Sequence, residues 1–320
     1  MVRSGAWPAI LGFLAVLAVL ALAAGSLSPF ALRVGQLMLY SAGIALAWNL
    51  MGGLTGYRSF GHAAFIGMGA FAAGLLEAHL GGWHPIARLF MGLAAAALCC
   101  ALVSALLAYP LLRLRGSYFA IAMLGVSHVA GELNTSIDAL SGAVGLMFAN
   151  VVPEGWDPNV FHFRVFLLCM AIVLAISWAV RRSRFGCGLQ SIREDEDTAR
   201  MLGVPTERYK SLVFVLSGTL TGVLGAVYAH SLGYVNAASL YRDDTNLNLV
   251  VYAMLGGIGT LLGPIVGAVS LVLLVHVLLS DYPDVHLFVT GLVLALVVLV
   301  APDGLLGAGR RLLQRFRSRA

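Results

Sequence analysis

Charge is what this 320-residue chain has least of: 11% of its residues are Asp, Glu, Lys or Arg, against roughly a quarter in an average soluble protein. With 60% hydrophobic residues, the chain is neither a soluble fold nor a disordered segment. Cysteine is scarce as well. Cys99, Cys100, Cys169 and Cys187 form no C-x-x-C pair, which excludes a disulfide scaffold and a zinc ribbon and leaves them as small core residues. Eight histidines, at 62, 79, 84, 128, 162, 230, 276 and 286, include no H-E-x-x-H and no pair four residues apart, so zinc hydrolysis is excluded. There is no G-x-S-x-G elbow for a serine nucleophile. No G-x-x-x-x-G-K-[ST] phosphate loop occurs either, so any ATP-driven work belongs to other chains and this one is not an enzyme. The alternating pattern of a membrane β-barrel is missing too.

What the chain does have is long, continuous apolar runs. They read as about ten membrane helices, over 9–27, 34–51, 62–80, 86–112, 117–133, 163–180, 212–234, 247–262, 264–280 and 286–301, each near the roughly 20 residues a crossing needs. The fold class is therefore all-α and polytopic. It is read as a single transmembrane domain over 1–320, holding a cytoplasmic loop at 181–211 and a basic tail at 302–320.

A cytoplasmic N-terminus puts sixteen of the twenty basic residues in inside segments, leaving Arg33, Arg88, Arg164 and Arg242 outside. That distribution obeys the positive-inside rule, so both termini are expected in the cytoplasm. The net charge of +5 then reflects patches facing anionic lipid rather than a nucleic-acid partner. The first run, with Arg3 before it and small residues at 21–26, also resembles a secretory signal peptide, although it is longer than the usual h-region.

Acidic residues are expected to avoid mid-membrane. Glu194, Asp195, Glu196, Asp197 and Glu207 fall in the cytoplasmic loop, and Asp303 follows the last span. Asp138, Glu154, Asp157, Asp243, Asp244, Asp281 and Asp284 fall in expected outside loops; Glu77 and Glu132 lie near span ends. This argues against an ion-coupled secondary transporter, which usually keeps such groups in mid-span. Backbone carbonyls can also bind sodium, so that alternative stays open. His128 and His276 lie inside spans and read as interhelical hydrogen bonders.

The 37 glycines gather at 52–61, 67–74 and 256–267. Small residues let membrane helices touch backbone to backbone, and Gly/Pro interruptions mark broken helices around a path. Gly61, Gly256, Gly257, Gly259, Gly263 and Pro264 are read as a gate or broken-helix element. The 181–211 loop reads as a short amphipathic helix around Glu194 to Gly203. It has an acidic first turn, an apolar edge of Ala199 and Leu202, and a stop at Gly203 and Pro205.

Here the sequence resembles the LivM-type permease subunits of high-affinity branched-chain amino acid ABC importers. Asp197, Thr198, Ala199 and Gly203 fit a degenerate E-A-A-x-x-x-G coupling motif. Ser59-Phe60-Gly61-His62-Ala63-Ala64-Phe65, Arg115-Gly116-Ser117-Tyr118-Phe119-Ala120, Gly256-Gly257-Ile258-Gly259-Thr260 and Pro302-Asp303-Gly304-Leu305 match the family in order. Departures are Thr198, where the family prefers alanine, and the stretch from Leu140 to Leu146, where a T-G-G string is common. The resemblance implies an inner-membrane permease that takes up branched-chain or related amino acids; importers of urea, amides or aromatic acids remain alternatives.

It also implies a LivH-like second permease, an external solute-binding protein and two ATPase subunits, which bind the ATP while this chain holds no cofactor and no metal. Glu194, Asp195, Glu196, Asp197, Ala199, Leu202 and Gly203 would then couple to an ATPase. Asn49, Ser59, His62, Tyr118 and Asn134 are the polar candidates for the path. A substrate carboxylate is expected near exposed N–H groups at broken helix ends.

Overall fold

In hydrocarbon a backbone must satisfy its own polar groups, and long runs of Leu, Ala and Val do so as helices. The computed structural model describes residues 7–137, 144–278, 291–292 and 304–307. Its helices are α1 (Trp7–Ala23), α2 (Pro29–Thr55), α3 (His62–Ala78), α4 (Pro85–Leu111), α5 (Ser117–Ser136), α6 (Pro158–Arg182), α7 (Arg184–Glu194), α8 (Glu196–Met201), α9 (Thr206–Leu232), α10 (Ala237–Leu240), α11 (Asp243–Gly256) and α12 (Gly263–Leu273). A two-residue antiparallel pair, β1 (Leu146–Met147) with β2 (Tyr234–Val235), ties two loops together at one end.

Local chemistry sets the ends. Prolines occupy the first turns of α2, α4, α6 and α12, where their missing N–H is not needed. Ser28 and Asp157 cap α2 and α6 through their side-chain oxygens. Gly56 and Gly233 close α2 and α9 in the left-handed conformation.

α2, α4, α6 and α9 are each long and apolar enough to cross a membrane alone. α2 is the axis: it is buried from Tyr40 to Thr55 and packs against α6, α9, α11 and α12. α3 lies so close to α9 that a Cβ on Gly69 would overlap the backbone of Gly222, and one on Gly225 the backbone of Ile66. Such approach is how membrane helices gain packing energy without a hydrophobic driving force.

The expected spans correspond to helices through the ninth, with shifted ends. The count of ten does not follow from them. The expected tenth span at 286–301 and the basic tail at 302–320 lie outside the described residues, apart from 291–292 and 304–307. The expected eighth span is a helix of 14 residues, and the expected ninth begins as the 11-residue α12 and continues through a π-helical turn to Leu278. At 1.5 Å per residue α11 alone reaches about 21 Å, less than the roughly 30 Å of a bilayer core, before the chain turns into α12. Gly256, Gly257, Gly259 and Gly263 form the tight connection between them: a Cβ on Gly256 would overlap the carbonyl of Gly263, and one on Gly267 the carbonyl of Tyr252.

A second break follows α2. Beyond Gly56 the chain doubles back, and Trp48 Nε1 donates to the Ser59 carbonyl at 2.7 Å. Ser59 is thus level with a residue two turns before the end of α2, and α3 starts inside the bundle. The N–H of Ala63 in its first turn donates to Asn246 Oδ1 of α11 at 2.8 Å, and Asn246 Nδ2 reaches Ser127 Oγ of α5 at 3.3 Å. The expected exposed N–H at a broken helix end is therefore taken here by the Asn246 amide.

Asp243 and Asp244, expected in a loop, instead form the first turn of α11. The Tyr241 ring sits against Gly67 of α3 and Gly131 of α5, so the start of α11 is inserted between those helices. Asp243 Oδ1 stands 3.3 Å from His128 Nε2. His128 is eleven residues into the 20-residue α5, about 17 Å along it, so an acidic group does stand at mid-helix depth. His128 makes an interhelical contact as expected, but to a partner the sequence reading had placed elsewhere.

Candidate functional site

The loop at 181–211 folds as two helices, a correction to the single helix expected around Glu194 to Gly203. Ser183 caps α7 by accepting from Gly186 N, and Leu189 and Ile192 bury the apolar side of α7 against the bundle. Asp195 then turns to extended backbone, and its side chain accepts from Thr198 N at 2.6 Å to start α8. Glu194 therefore ends α7 instead of opening the coupling helix. Gly203 closes α8 with φ of 85°, and the Val204 N–H bonds back to the Ala199 carbonyl, a Schellman-type stop.

α8 does not carry the expected continuous apolar edge. Ala199 is 1% exposed and faces the bundle, whereas Met201 and Leu202 are 80% and 78% exposed and project away. The acids that were expected to meet a partner are fastened to this chain itself. Glu196 Oε1 lies 2.6 Å from Lys210 Nζ, and Glu196 Oε2 accepts from Tyr57 OH at 2.5 Å. The Lys210 side chain is 1% exposed; its ammonium also donates to the Leu112 carbonyl at 3.2 Å. Asp197 receives two bonds from Arg115 at 2.9 and 3.0 Å. One short helix is thereby tied to the α2–α3 linker, the end of α4, the α4–α5 linker and the start of α9.

These bonds set the ionisation of the cluster. The two hydrogen bonds from Arg115, with its charge, hold the Asp197 carboxyl below the usual range, and the bonds from Thr198 do the same for Asp195. Burial pushes Glu196 up, but hydrogen bonds from Lys210 and Tyr57 outweigh it and the net shift is downward. Carboxyls depressed in this way contribute stability that is complete above their ordinary values near about 4 and lost as pH falls through the lower folded ones. Hydrogen exchange of the α8 amides, corrected for intrinsic rates, is expected to stay protected from about pH 8 to 5 and to lose protection only below about pH 4. Protection lost already between pH 7 and 6 would contradict the ion-pair account.

The second region is the broken helices. Asn49 Nδ2 donates to the Thr260 carbonyl at 2.9 Å and its Oδ1 accepts from Gly259 N at 2.8 Å. Arg193 of α7 donates to the Gly53 carbonyl at 2.8 Å, and Arg181 reaches the Gly259 carbonyl. The turn between α11 and α12 is thus pinned to α2, α6 and α7. His62 Nδ1 pairs with Ser59 Oγ at 2.9 Å and Nε2 with Ser217 Oγ at 2.8 Å; Ser217 donates onward to the Ala47 carbonyl.

Of the five path candidates, Asn49, Ser59 and His62 are thus buried and bonded within the fold. Asn134 is buried at the edge of a cavity of about 840 Å³ between α3, α4 and α5. Tyr118 is 75% exposed near the start of α5. The five do not converge on one point.

What sequence reasoning missed is the open side of α5. Tyr118, Ile121, Gly125, His128 and Glu132 are exposed and recur every three or four residues, so they share one face. His128 and Glu132 would be costly against lipid. The available signal was this 3-4 spacing of polar residues in an otherwise apolar helix.

The profile of the permease component of branched-chain amino acid transport systems matches residues 30–298. The chain belongs to that family. LivM of the Escherichia coli (strain K12) high-affinity branched-chain amino acid system is 30% identical over 294 residues, spanning 82% of this chain and 67% of the relative. LivH of the same organism is 25% identical over 284 residues, spanning 82% and 90%. A chain of an inward-facing ABC transporter described as metal-chelate type is 21% identical and covers 92% of this chain and 98% of its own, at a TM-score of 0.45, too loose a likeness to inform helix placement. This LivM-type protein is accordingly a membrane-embedded permease subunit of an ABC importer, a family of transport components rather than enzymes.

Proposed function

We propose that this permease imports branched-chain amino acids across the bacterial inner membrane, with α7 and α8 at the cytoplasmic end as the element that receives motion from an ATPase. The observation that carries the reading is the fastening of α8. Glu196 and Asp197 tie it through Lys210, Tyr57 and Arg115 to four connections of the bundle, while Met201 and Leu202 are left outside for a partner.

A displacement of that projecting tip therefore has a stiff route into α4, α5 and α9 and into the turn before α3. Arg193, on the neighbouring α7, extends the route to Gly53 beside the glycine turn at 256–263. Alternating access then consists of packed helices shifting about these fixed points. The glycine turn and the broken start of α3 act as the gate; Tyr118 and Asn134 remain the path candidates, and Asn49, Ser59 and His62 hold the gate's backbone.

The working assembly pairs this subunit with a LivH-like permease and two ATPases, and receives substrate from an external binding protein. Both termini face the cytoplasm in this reading. The identity of LivM, 30% over 82% of the chain, supports branched-chain amino acids as the substrates.

Changing Met201 and Leu202 together to Asp tests the docking assignment. Both side chains are exposed, so folding should change by no more than about 0.5 kcal/mol. Leucine uptake by proteoliposomes of the whole complex is expected to fall about a hundredfold, with loss of ATPase co-purification, because interface anchors cost 2 kcal/mol or more when removed. Full uptake with normal co-purification would place the docking surface elsewhere.

A further inference from the structure

The open face of α5 carries an exposed pair of ionisable side chains, one from α5 and one from α11. His128 and Asp243 are 3.3 Å apart, and their side chains are 56% and 57% exposed. At mid-helix depth that exposure faces either lipid or a water-filled path, and lipid is a poor neighbour for two ionisable groups. Arg242 and Asp244 form a second exposed pair at 2.8 Å beside them.

A cavity of about 550 Å³ meets this face at Ile121. It is lined by Gly56, Arg58, Gly116, Leu124, Val250 and Met254, among others, and its size falls within the about 300 to 1,000 Å³ typical of small-molecule sites. His128 follows Leu124 by one turn of α5, and Asp243 precedes Val250 by two turns of α11. The pair therefore lies about one turn of α5 beyond the Leu124 and Val250 side of the cavity without lining it, while Arg58 and Gly116, in the linkers tied to α8, line the cavity itself.

We infer that His128 and Asp243 form the polar subsite for the charged head of a zwitterionic α-amino acid in the translocation path, an inference that rests on the transport reading above. A zwitterion can exchange with the resting pair partner for partner. Its carboxylate takes the imidazole N–H of His128 and its ammonium takes the carboxylate of Asp243, so the Asp243 charge is not left uncompensated. The aliphatic side chain then lies along Leu124, Val250 and Met254. A neutral amide, or an acid without an ammonium, leaves one member of the pair unmatched, and that mismatch supplies selectivity.

The test uses the complete importer in proteoliposomes, with its second permease, ATPases and binding protein. Asp243→Asn and His128→Gln are each expected to lower leucine uptake tenfold to a hundredfold, on the order of one charged hydrogen bond. The double variant His128→Gln with Asp243→Asn keeps a neutral hydrogen-bonded pair. It is expected to stay defective if the charges serve substrate; restored uptake would show that the pair only joins α5 to α11 and would overturn the inference.

Wild-type uptake in the single variants would overturn it too, whereas a wild-type complex that moves no amino acid would instead refute the transport reading. Should a variant fail to assemble, the wild-type complex decides. Saturating leucine is expected to slow diethyl pyrocarbonate modification of His128, followed by peptide mass spectrometry, by about threefold or more; an unchanged rate rejects the subsite.

Discussion

Glu196→Ala is expected to destabilise the permease by about 3 to 5 kcal/mol and to abolish leucine uptake. The change leaves the Lys210 ammonium, on a side chain 1% exposed, with the Tyr57 hydroxyl, the Leu112 carbonyl and Glu207 Oε1 at 3.7 Å. Removing one member of a buried pair is costly because the other charge loses its compensation, whereas removing both often costs little. The double variant Glu196→Ala with Lys210→Met should therefore recover most of the thermal stability. Uptake is expected to stay low even so, because α8 has then lost its buried tie to α9 and to the linker at Tyr57 and keeps toward α9 only the exposed Arg200–Glu207 pair. Melting curves of the detergent-solubilised complex and uptake by proteoliposomes separate the two effects. Recovery of both together would mean that the cluster stabilises the fold without transmitting motion.

Gly256→Ala is expected to be nearly as damaging. The added Cβ would meet the backbone of Gly263, which no rotamer change can relieve, so α11 and α12 must separate or their turn must rearrange. Overpacking of this kind costs about 1 to 3 kcal/mol and more where backbone must move. The yield of monodisperse protein and the melting temperature are expected to fall sharply. Gly125→Ala is the matched control: among the described residues no heavy atom lies within 4 Å of its Cβ position, and alanine favours a helix over glycine by about 0.5 to 1 kcal/mol. Equal behaviour of the two variants would show that the turn at 256–263 is looser than its geometry.

Several elements were readable directly. Uninterrupted apolar runs gave α2, α4, α6 and α9, since only helices can satisfy so long a backbone in lipid. The glycine string at 256–267 read correctly as a close approach, because nothing else in a chain permits backbone contact at that density. The loop at 181–211 read as ordered, but its break at Asp195 did not. An N-cap and an acidic first turn look alike in sequence, and only the extended backbone of Asp195 separates them.

The path residues were the least legible. Ser59, His62 and Asn49 are polar residues in apolar surroundings, which is how both a ligand site and a structural hydrogen bond appear in sequence. The distant partners of His62 and Asn49, namely Ser217, Thr260 and Gly259, lie 155 to 211 positions away. Asp243 was misplaced for a related reason. Hydropathy assigns a charged stretch to a loop, yet this one is inserted between α3 and α5 by Tyr241 and Asn246.

The sequence by itself determined that this is a polytopic helical membrane protein of the LivM type, because composition and apolar run length report the solvent a chain must live in, and the motifs report its relatives. Only the tertiary structure decided which charges meet. It turned the acids of α8 inward to Lys210 and Arg115 and brought Asp243 to His128. Ion pairing depends on how helices pack across large sequence distances, and a one-dimensional pattern of hydropathy carries no record of that packing.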